Sequence, residues 1–168
     1  MHVMQAKRGT SLTKAVRYLA ITIFLVATLD LFTKSIALQR LGSEPVQVIG
    51  KYLQLHLIFN SGAAFSIGAH RAFFFSLFSI TAALLIIIKA QKFEHSYWLV
   101  ASGLVVGGIL GNLIDRIFRP PGSLSGQVVD WIELAHWPIF NLADSSIVLG
   151  ASLVTFLVAR NIKPRELT

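Results

Sequence analysis

Cysteine is absent from the 168 residues. That excludes disulfide frameworks and thiolate nucleophiles. Charge is scarce too: Asp, Glu, Lys and Arg make up 14% of the chain, where a soluble domain carries roughly a quarter. Acids are the scarcer sign, 8 against 15 Lys plus Arg, for a formal net charge of +7. The histidines (His2, His56, His70, His95, His136) never fall at a metal-ligand spacing such as H-E-x-x-H, so no metal and no cofactor are expected. What the chain has in abundance is apolar: 54% hydrophobic residues and a mean hydropathy of +0.67. The excess basic charge flanks greasy runs. That placement reads as membrane topology, not as a nucleic-acid surface.

A helix needs about 20 mostly apolar residues to cross a bilayer. Four stretches qualify, at about 16–38, 72–88, 97–118 and 139–159. The first follows Lys7, Arg8, Lys14 and Arg17, as a signal peptide would. No small-residue cleavage site follows a short apolar core, however, and more spans come after, so it reads as a retained helix. Lys7, Arg8, Lys14, Arg17, Lys89, Lys92, Arg160, Lys163 and Arg165 occupy three short segments on one side. The positive-inside rule then puts both termini in the cytoplasm and turns segments 39–71 and 119–138 outward.

In the first outer segment, alternation over 52–57 predicts strands, with a turn at Gly50-Lys51. In the second, VVDWIELAHW predicts a short amphipathic helix, with Trp131 and Trp137 at the headgroup level. The expected fold is therefore an all-α membrane protein of one domain, 1–168. It is a four-transmembrane-helix bundle with a small extracytoplasmic β-sheet and a short interfacial helix. Gly103, Gly107 and Gly111 form a small-residue face that predicts close helix packing and no chemistry.

The aspartates are Asp30, Asp115, Asp130 and Asp144. The topology brings them all to the outer side. Acids within a membrane are costly and mark function by default, and acids at one depth predict one shared polar site. Asn112, Asp115 and Arg116 share a helix face, as do Asn141 and Asp144. Arg116 is the cation nearest Asp115 in sequence and is expected to neutralise it. Asp130 and Asp144 are left without a partner base. Two such carboxylates can share a proton, one acting as acid and one as base on a water molecule. Ser145 or Ser146 with His136 is a weaker nucleophilic alternative. A transporter would also bury acids, but near mid-bilayer with an inward path. A purely structural membrane protein explains the glycines but not the amide–carboxylate turns.

Five blocks carry a further signal: LDLFTK (29–34), FNSGAAFS (59–66), GNLIDR (111–116), VVDWI (128–132) and FNLADSSI (140–147). In this order, on four spans, they closely resemble the lipoprotein signal peptidase (signal peptidase II) family. The resemblance implies a metal-free aspartic endopeptidase of the bacterial inner membrane. Such an enzyme removes signal peptides from diacylglyceryl-modified prolipoproteins, cutting just before the lipidated cysteine at the extracytoplasmic face. It implies Asp130 and Asp144 as the catalytic pair. Asn60, Asn112, Arg116 and Asn141 would line the site, with Asp30 and Asp115 as structural supports. The implied partners are the lipidated prolipoprotein and membrane lipid. No nucleic acid is expected, and a self-contained site in one chain makes a monomer the expected state. The chain departs from the family pattern at Leu31, where glutamine is frequent, and in a longer loop, RPPGSLSG (119–126).

Overall fold

The computed structural model describes the backbone of residues 2–62 and 70–164, and side chains from 16 to 62 and 72 to 164. Residues 63–66 of the FNSGAAFS block, and the side chains of Lys7, Arg8, Lys14, Arg71 and Arg165, lie outside the described residues. Chain order is α1 (His2–Arg40), β1 (Val46–Ile49), β2 (Leu53–Asn60), α2 (His70–Ala90), α3 (Ser96–Phe118), β3 (Val128–Leu134) and α4 (Leu142–Ala159). The stretches Val16–Arg40, Ala72–Ala90, Ser96–Phe118 and Leu142–Ala159 are long and apolar enough to span a bilayer. Phe24, Phe74, Phe78 and Leu149 point outward from the bundle, where lipid tails would meet them.

α3 is the hub, with 56% of its span buried against 17–22% for the spans of the other helices. Its glycines explain why. A Cβ on Gly103 would lie 2.6 Å from the Thr22 Cβ, and one on Gly107 would lie 2.7 Å from the Val26 Cβ. Helix α1 therefore packs backbone to backbone along this stripe. The same stripe continues to Gly111, where a Cβ would meet the Asp30 carboxylate at 2.6 Å. Gly108 faces the other way, against Ala143 and Ile147 of α4. Packing alone accounts for these glycines, and by permitting close approach it sets acids from different helices side by side.

The strands form one antiparallel sheet in the order β1-β2-β3. β1 and β2 make the expected hairpin through Gly50-Lys51, with Gly50 at φ +50° and Tyr52 N donating to Ile49 O at 3.0 Å. The stretch expected as an interfacial helix is a strand instead. Residues 128–134 pair with β2, with Ile58 opposite Asp130 and Asn60 opposite Val128. The free edge of β2 supplies backbone partners that a helix lying on the membrane would not use. Val128, Val129, Trp131 and Ile132 also favour the pleated surface. The strand ends in a tight turn, with His136 at φ +63° and Trp137 N donating to Leu134 O. Phe140 then bridges back to Ile132 through N–H···O bonds of 3.0 and 2.9 Å. Residues 139–141 are used in this return and in the helix cap, so α4 starts at Leu142 rather than at 139.

The 119–126 loop folds onto the end of α3. Gly126 N donates to Arg116 O at 2.9 Å, and a side chain at Gly126 would collide with the carbonyls of Asp115 and Arg119. Ser76 of α2 holds the same loop through Leu124 O at 2.7 Å.

Candidate active site

The sheet and the helix ends bring the aspartates to one end of the bundle, where they form two dissimilar groups. Asp30 and Asp115 form the first. Lys34 is fully buried between them, with Nζ 2.7 Å from Asp30 Oδ2 and 2.8 Å from Asp115 Oδ2. Arg119 Nε also pairs with Asp115. Arg116 does not neutralise Asp115, contrary to the sequence expectation. Its Nη1 instead donates to Gly126 O at 2.7 Å and Asn60 O at 3.2 Å, tying the loop to the end of β2. The reason is helical geometry: residues four apart face each other more directly than adjacent ones, which favours Arg119 for Asp115 and Lys34 for Asp30.

Asp130 and Asp144 form the second group, and amides hold them. Asp130 accepts from Asn60 Nδ2 at 2.9 Å on one oxygen and from Asn141 Nδ2 at 2.7 Å on the other. Asp144 accepts from Asn112 Nδ2 at 2.8 Å and from the Asn141 backbone N–H at 3.2 Å. Asn141 is the N-cap of α4, and Asp144 closes a reciprocal capping box with it. Asp144 therefore sits in the first turn of the helix, its carboxylate anchored by the cap. Asn60 also closes a turn, accepting from Gly62 N at 2.8 Å. The turn and the site thus share one side chain.

The two groups interlock through the backbone. Asp30 Oδ1 accepts from Ala143 N at 2.9 Å, the residue before Asp144. Asp115 Oδ2 accepts from Val129 N at 3.2 Å, the residue before Asp130. Each ion-paired acid anchors the chain beside one amide-held acid.

Asp130 and Asp144 line one open cavity of about 180 Å³, with Asn60, Asn112, Arg116 and Ser76 on its polar walls and Phe75, Leu113 and Ile147 on its apolar ones. Burial pushes the Asp130 carboxyl up to about 6, and the nearby Asp144 carboxylate adds to the rise. The Asn60 and Asn141 amides act against it by donating to the ionised form. A carboxyl of this kind can hold or release a proton near neutral pH. The serine alternative has no such support. Ser145 Oγ donates to Asn141 O at 3.0 Å and Ser146 Oγ to Leu142 O at 2.9 Å, so both hydroxyls are tied to their own helix.

The expected site residues Asp30, Asn60, Asn112, Asp115, Arg116, Asp130, Asn141 and Asp144 are brought together here. Sequence reasoning does not single out Lys34 as a site residue. Its signal was present, since Asp30 and Lys34 stand four apart in an otherwise apolar helix.

Four spanning helices around a polar cavity define a multi-pass membrane enzyme. Two solved structures titled as bacterial membrane enzymes share the architecture. One matches with a TM-score of 0.73 at 29% identity, covering 83% of this chain and 91% of that one. The other has a TM-score of 0.69 at 27% identity, covering 89% and 94%. The chain belongs to the signal peptidase II family, proteases that cleave the signal peptides of lipoprotein precursors: the family model described as "Signal peptidase (SPase) II" matches residues 22–160. The lipoprotein signal peptidase of Streptomyces coelicolor is 43% identical over 139 residues, 81% of this chain and 67% of that one. That of Mycobacterium tuberculosis is 38% identical over 145 residues, 86% and 72%.

Proposed function

We propose that the chain is an aspartic endopeptidase in which Asp130 and Asp144 activate one water molecule. The observation that carries this reading is the pairing of two cavity-lining carboxylates held by amides alone, one of them with its proton affinity raised to the neutral range. In the resting pair Asp130 holds the shared proton and Asp144 is ionised. Asp144 takes a proton from water as the oxygen attacks the scissile carbonyl, and Asp130 donates its proton to the carbonyl oxygen. The resulting tetrahedral diol collapses as Asp144 returns a proton to the leaving nitrogen and Asp130 recovers one from the diol. The dyad ends as it began.

Asn60, Asn112 and Asn141 hold the carboxylates in place, and Arg116 closes the cavity wall. Both termini face the cytoplasm and the cavity opens at the extracytoplasmic face, as the basic residues of the inner segments support. The substrate is a diacylglyceryl-modified prolipoprotein. Its signal helix enters from the bilayer, and the cut falls just before the lipidated cysteine. A monomer with no metal or cofactor suffices, because one chain supplies both acids.

The test is cleavage of a synthetic lipidated prolipoprotein by purified protein in EDTA, with and without hydroxylamine. The reading predicts one cut before the modified cysteine and a signal peptide released only as the free acid. A signal-peptide hydroxamate would reveal an acyl-enzyme and contradict it.

A further inference from the structure

Lys34 lies outside the cavity wall, yet it is the most completely engaged cation in the described part of the bundle. Three oxygens surround its ammonium: Asp30 Oδ2 at 2.7 Å and Asp115 Oδ2 at 2.8 Å as ion-pair partners, and Asn112 Oδ1 at 3.1 Å as the hydrogen-bond acceptor. The third contact has directional consequences. An ammonium offers only donors, so the oxygen of the Asn112 amide must face Lys34. The amide nitrogen must then face away, and there it donates to Asp144 Oδ1 at 2.8 Å. Asn112 Oδ1 also accepts from Asn141 Nδ2 at 3.0 Å, and that same nitrogen reaches Asp130 Oδ1 at 2.7 Å. A flipped Asn112 would set its nitrogen against both Lys34 and Asn141, and its oxygen against a carboxylate.

We infer that Lys34 is a positioning residue: it fixes the direction of the Asn112 amide, and through it the orientation of Asp144 toward the water it activates. The inference rests on the proposed Asp130–Asp144 dyad. Lys34 acts on both carboxylates by a second route. It holds Asp30 and Asp115, which anchor the backbone at Ala143 and Val129 beside them. The amide route is separable from this backbone route, because only the first passes through Asn112.

The test compares K34M/D30N with D30N, so that the ammonium is removed together with one of its acids and Asp115 keeps Arg119. Folding is followed by circular dichroism and thermal unfolding in micelles, and turnover is expressed per folded enzyme. The expected result is a fall in kcat of at least about tenfold with KM within about twofold, because an oriented group is lost and no cavity wall is changed. In an N112A background K34M/D30N should have the same kcat as D30N. Should K34M/D30N fail to fold, K34Q/D30N replaces it, with a predicted fall of at least about threefold that again vanishes in N112A. An additive fall in the N112A background, or a kcat equal to that of D30N, overturns the inference. D144N serves as the control. If it turns over normally, the dyad itself is wrong. If it is inactive while K34M/D30N matches D30N, only the role of Lys34 is wrong.

Discussion

Two pairs of carboxylates lie within one end of the bundle and differ in the groups that hold them. Asp30 and Asp115 are matched by the cations Lys34 and Arg119. Asp130 and Asp144 are held by the amides of Asn60, Asn112 and Asn141. A cation beside a carboxylate favours the ionised form and makes the acid a fixed anchor. An amide donor satisfies an oxygen without supplying a charge, so the carboxyl can still exchange a proton. At Asp130 burial outweighs the two amide hydrogen bonds and raises the proton affinity. Under the proposed mechanism, the same residue type serves as scaffold in one pair and as chemistry in the other.

The contrast can be broken most severely at Lys34. K34M leaves two buried acids with one cation between them, and breaking a buried ion pair costs about 3–5 kcal/mol. Thermal unfolding in micelles should show a loss of that size. A loss below about 1 kcal/mol would mean that the cluster is not a structural anchor.

A smaller effect, of opposite sign, is predicted at the amide-held pair. The Asp130 carboxyl titrates at about 6 in the fold against an ordinary value of 3.8. A raised folded value means that the stabilisation due to its proton is complete below the unfolded value and is lost as pH rises through 6. D130N does not titrate. Its stability relative to wild type should therefore increase by up to about 3 kcal/mol between about pH 3.5 and pH 8. A pH-independent difference would show that Asp130 is not strained by burial.

The smallest effect separates packing from chemistry along α3. Gly108→Ala would press a methyl against the Ala143 carbonyl, next to Asp144, whereas Gly103→Ala would press on Thr22, well away from the site. Each should cost about 1–3 kcal/mol by overpacking. Only Gly108→Ala should also lower kcat, by about threefold or more. Equal turnover in both would uncouple α4 position from activity.

The spans were legible because hydropathy is local: each run declares itself within about 20 residues. The candidate site was legible because charge in such a chain is rare enough for every aspartate to stand out. What escaped depended on partners far along the chain. Residues 128–134 have an amphipathic pattern, and only the free edge of β2, some seventy positions earlier, makes them a strand. Adjacency in sequence points Arg116 to Asp115, whereas the four-residue spacing of Asp115 and Arg119 is the pairing a helix realises. Lys34 draws its importance from Asp115 and Asn112, about eighty positions away, and only its pairing with Asp30 is visible locally. Asp144 was expected deeper in its helix. The bridge from Phe140 to Ile132 delays the helix start and makes Asn141 its cap.

The most direct measurement is an aspartate-to-asparagine scan of all four positions, scored as cleavage of a lipidated prolipoprotein per folded enzyme. D130N and D144N should fold and lose at least about 10⁴-fold in kcat/KM. D30N and D115N should yield less folded protein, and what does fold should turn over at least about a hundredfold faster than either. Turnover by D130N or D144N within about tenfold of wild type, or a folded D30N and D115N as inactive as that pair, would contradict the division of the four acids into anchors and catalysts.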